Sequence, residues 1–191
     1  MTDSVIDGID YGPLALLVGV WEGDKGVDKA PEKDGEERNL FYETILFEAI
    51  GDVTNAQEQT LAVLRYHQIV RRKSNDKVFH NETGYYSWDS RTGVISQAFA
   101  IPRGVALVAG GTARSDAENP AATVIELKAA DGDADWGIAQ APFMRDKART
   151  VAFTHKLTVD GDSLVYAEST VLDIYGRTYD HTDINRLKRK S

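Results

Sequence analysis

Through most of the chain, apolar and polar residues alternate with a period of two. "NLFYETILFEAIG", "QTLAVLRYHQIVRRK", "KVFHNETGYYSWD", "GVISQAFAIPRG", "VALVAGGTA", "ATVIELKAA", "RTVAFTHKLTVDGDSLVYAESTVLD" and "RTYDHTDINRLKR" all read as strands rich in aromatic and β-branched residues. In the second run, Leu61, Val63, Arg65 and His67 share one face, and Ala62, Leu64, Tyr66 and Gln68 share the other. Turn residues separate the runs: Asn75-Asp76, Thr92-Gly93, Pro102-Arg103-Gly104, Asp131-Gly132-Asp133 and Asp160-Gly161-Asp162. "VDGDSL" between two alternating runs predicts a hairpin. About ten strands in sequence order, joined by short turns, predict an all-β, antiparallel up-and-down sheet. So many strands with open edges would invite association, so the sheet is expected to close into a barrel with room for one small ligand.

Three segments depart from the alternation. "IDYGPLALLV", residues 9–18, reads as a helical turn or two started by Gly12-Pro13, with Leu14, Leu17 and Val18 on one side. "DKAPEKDGEERN" reads as a charged loop. Residues 130–147 carry "DADWGIAQAPFMRDK", an aromatic-bearing insertion expected to form a short helix or lid, with Trp136, Phe143 and Met144 over the barrel mouth. No internal repeat is visible, and the 191 residues suit one domain.

Composition narrows the function. Hydrophobic residues make up 42% of the chain, enough for a core, and the absence of cysteine removes disulfides, thiolate metal sites and a cysteine nucleophile. The formal net charge of −8 disfavours nucleic acid, and the basic tail "RLKRK" reads as a solvated end. No apolar run reaches bilayer length, and the acidic start is unlike a secretory signal, so a cytoplasmic location is expected. "GDS" at 161–163 is a turn and not a nucleophile elbow, and the glycine pair at 110–111 lacks a phosphate-binding pattern.

In "LLVGVWEGDKG", a tryptophan sits between Gly19 and Gly23. Gly19-x-Trp21-x-Gly23 after a short apolar helix resembles the opening signature of the calycins, the lipocalins and fatty-acid-binding proteins. The centre is more specific. Tyr66-x-Gln68, then His80-x-Glu82-x-Gly84-Tyr85, then Ile101 leading into Pro102-x-Gly104, resembles the nitrobindin family, whose heme-binding β-barrel also ends some THAP-domain proteins. Leu17 through Gly23 and the closing "DSLVYAESTVLDIYGRTYDHTDINRLKR" extend the likeness over nearly the whole chain. The sequence departs from the pattern after Trp21 and, by about one residue, after His181.

The resemblance implies ferric heme b in the barrel, with His181 as the iron ligand and His80 on the distal side. It also implies interaction with nitric oxide and isomerisation of peroxynitrite to nitrate. Tyr66, Gln68, Tyr85 and Ile101 would complete the heme-contacting set. His155, alternating with Phe153 and Leu157, is the second choice for the metal, and His67 has a structural place only. Arg71-Arg72-Lys73 and Arg103 could meet a propionate at the mouth, and Met144 could approach iron as a weak axial group. Two other readings stay open: a non-heme carrier of a fatty-acid-like or other apolar molecule, and a barrel filled by its own side chains.

Overall fold

A computed structural model describes residues 4–190. A two-strand hairpin, β1 (Val5–Ile6) and β2 (Ile9–Asp10), precedes a 3-10 helix at Gly12–Leu17. The strands then follow in order: β3 (Gly19–Glu32), β4 (Gly35–Asn55), β5 (Gln59–Arg72), β6 (Val78–Asp89), β7 (Val94–Ile101), β8 (Val105–Ser115) and β9 (Thr123–Ala130). A short β10 (Ile138–Gln140) and helix α1 (Pro142–Lys147) lead into β11 (Ala148–Asp160), β12 (Ser163–Ile174) and β13 (Arg177–Arg189). Each long strand pairs antiparallel with its neighbour, β13 returns to β3, and β8 pairs with β9, so ten strands close into a barrel. Closure leaves no long unpaired edge. Among the described residues no helix is long and apolar enough to cross a membrane.

One end of the barrel is sealed. Leu14 and Leu17 of the 3-10 helix pack with Trp21, Ile45, Leu64, Leu164 and Leu187. Trp21 is fully buried, and its indole Nε1 donates to the Leu17 carbonyl at 2.7 Å. The Arg189 guanidinium lies 4.2 Å over its ring and donates to the Leu16 and Val18 carbonyls, tying β13 to the helix. The second glycine has its own cause: a Cβ at Gly23 would come within 2.8 Å of the Arg186 carbonyl and the Asn185 amide, where β3 and β13 cross at an irregularity. Trp21 plugs the barrel, and Gly23 lets two backbones pass beneath it.

Two expected loops are ordered parts of the wall. In "DKAPEKDGEERN" strand pairing runs through Ala30↔Glu37, Pro31↔Glu36 and Glu32↔Gly35, so only residues 33–34 turn. Lys29, Glu36 and Arg38 point outward from a β ribbon while Asp28 points in, and the run of charges mimics a loop in the sequence. In the insertion, β10 pairs with the mouth end of β8. Gln140 Nε2 donates to the Thr150 carbonyl at 3.0 Å, and Thr150 N donates to Gln140 Oε1 at 2.6 Å. The segment thus bridges β8 and β11 where β9 has ended. Trp136 does not cap the mouth; it packs on Gly110, where a Cβ would sit 2.1 Å from its ring. Phe143 and Met144 do line the mouth, and Phe143 is 72% exposed.

Candidate functional site

The open half of the barrel holds a cavity of about 500 Å³. One part of its lining is apolar, with Phe99, Ile101, Leu107, Phe153, Leu172 and Ile174. The rest is not the apolar hollow that the strand pattern suggested: Asp28, Glu82, Glu168 and Asp183 face it from four strands. Inward positions on neighbouring strands stack by register. Glu168 pairs with Asp183, Asp183 with Asp28, and Asp28 with Asn39, making one row across β12, β13, β3 and β4. Carboxylates directly opposite one another repel, so this row needs shared protons or cations.

His181 answers part of that need. Its Nε2 lies 2.6 Å from Asp28 Oδ1 and 3.4 Å from Asp183 Oδ2. Asn39 Nδ2 donates to the other Asp28 oxygen at 2.7 Å, fixing the carboxylate. Burial would lower the imidazole's proton affinity, but the Asp28 hydrogen bond and the charges of Asp183 and Asp28 outweigh it and raise it. Burial likewise pushes Asp28 up, but the hydrogen bonds from His181 and Asn39 leave it below the usual range. Asp183 is left with burial and the Asp28 charge and is pushed up to about 6. Burial, with the charges of Glu82, Asp183 and Glu43 nearby, holds Glu168 well above the usual carboxylate range. The ligand atoms of Asp28, His181 and Asp183 lie within 4.8 Å of one another, and they are the one group of three among the described residues with metal-holding geometry.

A second network runs down β6. His80 Nε2 lies 3.4 Å from Glu82 Oε2. Burial works against the charged imidazole, but the Glu82 contact raises its proton affinity above the ordinary value. Glu82 also accepts from the Tyr66 hydroxyl, which accepts from Gln97 Nε2 at 2.9 Å. Gln97 Oε1 is therefore the end that faces His155 Nδ1 at 3.1 Å, so that nitrogen carries the proton. Burial lowers His155 to about 4, and it is neutral. Below the cavity, Glu43 is 1% exposed and accepts from Gln68 Nε2 at 2.6 Å, Tyr166 Oη at 2.9 Å and Asn185 Nδ2 at 2.6 Å. Burial outweighs these three donors and pushes Glu43 up to about 7.

The structure brings His181, His80, Gln68 and Ile101 to the cavity lining. Tyr66 lies in the same inward row as Gln68 but below the lining, stacked on Phe47. Tyr85 is half exposed on the outer wall, because successive residues of a strand point to opposite faces, and its neighbour Tyr86 is the inward one. His155 does face inward, but it is a core residue beneath the cavity, edge-on to Phe153 and Tyr166, and does not reach the lining as a metal ligand must. His67 is on the outer face, 2.9 Å from Asn81. Arg72 and Arg103 stand at the mouth. No motif in the sequence singles out Asp28, Asn39, Glu43 or Glu168. Parity was the available signal: Asn39, Phe41, Glu43, Ile45 and Phe47 share a face, and Asp183 follows His181 by two.

No curated protein matches the sequence significantly. Among solved structures, Rv2717c from M. tuberculosis superposes with a TM-score of 0.71 at 24% identity, covering 95% of this chain and 100% of that one, a likeness of fold. The profile described as "THAP4-like, heme-binding beta-barrel domain" matches residues 10–189, nearly the whole barrel from the end of β2 to the end of β13. With that match over its length, the chain belongs to the family of THAP4-like, heme-binding β-barrel domains.

Proposed function

We propose that the barrel binds heme b, with His181 as the iron ligand and His80 as the second imidazole of the pocket. The observation that carries this reading is a pair of cavity-lining imidazoles in a chain of a heme-binding family. The residues present fit the group in three respects. His181 is a partly buried imidazole that lines the cavity, a residue type that ligates heme iron. The apolar part of the lining suits a macrocycle face. Arg72 Nε is buried and meets no acceptor, with Arg103 also at the mouth, which suits a propionate.

Bound ferric heme would supply a coordination position for a diatomic ligand. We take nitric oxide as that ligand and peroxynitrite isomerisation as the associated reaction. His80, whose proton affinity the Glu82 contact raises, would donate a hydrogen bond to the ligand's oxygen, and Phe143 and Met144 would limit water at the mouth. Hemin titration of the purified protein tests the reading. A sharp Soret band saturating at one equivalent, lost in His181→Ala and kept in His155→Ala, is expected. No band, or one that survives His181→Ala, would overturn it.

A second reading is favoured by the acidic row. If no heme is taken up, the cavity suits a small molecule with a cationic or hydrogen-bond-donating head and an apolar body. A fatty acid suits it poorly, because a carboxylate entering the cavity would face Glu82, Glu168 and Asp183. Mass spectrometry of the purified protein would reveal such a ligand.

A further inference from the structure

His181 Nε2, which we take as the nitrogen that would meet iron, is already engaged. The contact between His181 and Asp28 is made by Nε2, the tip of the ring, at 2.6 Å, and Asp183 approaches the same atom at 3.4 Å. Asp28 is 2% exposed and is held from its far side by Asn39, so it is a fixed partner and not a surface side chain passing by. It faces Asp183 across the β3–β13 ladder, which places both carboxylates on the imidazole.

We propose that Asp28 is a built-in competitor for His181, occupying Nε2 in the ligand-free barrel, so that heme binding requires His181 to exchange a carboxylate partner for iron. The proposal rests on the heme reading of the same site and assigns Asp28 a positioning role that sets how tightly this barrel holds heme. It differs in sign from the usual supporting carboxylate. A carboxylate on the nitrogen away from the metal strengthens ligation, and its loss weakens the complex. A carboxylate on the ligating nitrogen opposes ligation, and its loss tightens the complex. Asn39 keeps Oδ2 of Asp28 partnered through the exchange, while Oδ1 gives up its His181 contact.

The test is hemin release from single-residue variants to an excess of a hemin-scavenging globin, with the Soret band as readout. Asp28→Asn keeps the side chain's shape and its place beside Asn39, and hydrogen bonds to charged groups are strong enough that release should slow by about tenfold or more. Glu168→Gln removes a cavity carboxylate that makes no contact with His181, so it should change release much less than Asp28→Asn does. Asn39→Ser, which loosens Asp28 without removing it, should shift release in the same direction by less and serves if Asp28→Asn does not fold. In the ligand-free protein, the ring-nitrogen resonances of His181 should report a hydrogen bond at Nε2 that Asp28→Asn weakens.

Faster release from Asp28→Asn would overturn the proposal and make Asp28 a supporter. Equal effects of Asp28→Asn and Glu168→Gln would overturn it as a matter of general cavity charge. Absence of any His181-dependent band in every variant would remove the heme reading itself, and the proposal with it.

Discussion

Glu43 should make this protein less stable as the pH rises through neutrality. The carboxyl is 1% exposed and surrounded by Gln68, Tyr166 and Asn185. Burial lifts it from an ordinary value of 4.5 to about 7. Below 4.5 the folded and unfolded chains both hold the proton and the group contributes nothing. Between 4.5 and about 7 the unfolded chain releases the proton while the folded one keeps it, so stability falls with rising pH and then levels off. A difference of about 2.5 pH units corresponds to roughly 3 kcal/mol at the upper end. Glu43→Gln removes the titration while keeping the shape, and Gln68 can turn its amide to present oxygen to the new NH2 group. Urea unfolding followed by tryptophan fluorescence, at several pH values from about 5 to about 8, should show a clear loss of stability in the wild type that is reduced by about 3 kcal/mol in the variant. Parallel curves for the two proteins would refute the assignment of that slope to Glu43.

Three further outcomes are expected. His155, lowered to about 4 from 6.5, should act in the opposite direction: its contribution is present above about pH 6.5 and is lost as pH falls through 4, so His155→Asn should flatten the acid limb of the same stability profile. Gly110→Ala should drive Trp136 off the wall, with a loss of about 2 kcal/mol or more in urea unfolding and a red shift of tryptophan emission, because the added Cβ would meet the ring at 2.1 Å. Arg72→Met should weaken hemin binding by severalfold in a spectroscopic titration while leaving the His181-dependent band shape unchanged, since it removes the mouth guanidinium and not an axial group.

The barrel itself was legible in the chain. The period-two runs, the Asp-Gly turns and the Gly-Trp-Gly signature each report a local constraint, and each appears where expected. Local signals misled where charge and structure part company: "DKAPEKDGEERN" is a ribbon whose outward charges resemble a loop, and the insertion is a wall segment because Gln140 finds Thr150 on β11. The histidines were visible as candidates but not ranked by their surroundings. His155 and His181 both face inward by parity, yet one lies beneath the cavity floor and the other lines the cavity.

From the sequence came the alternation that closes a sheet of strands, the plug at its end and the family to which it belongs, because these depend on neighbours along the chain. The tertiary structure decided the character of the interior. Glu43, Glu82, Glu168, Asp183 and Asp28 come from five different strands and meet only through the register of a closed barrel. Each reads alone as an ordinary charged residue of a half-exposed strand. The proton affinities of Glu43, Glu168, Asp183 and Asp28, and the partner that holds His181, are set by which side chains the closure brings together in a space with little water.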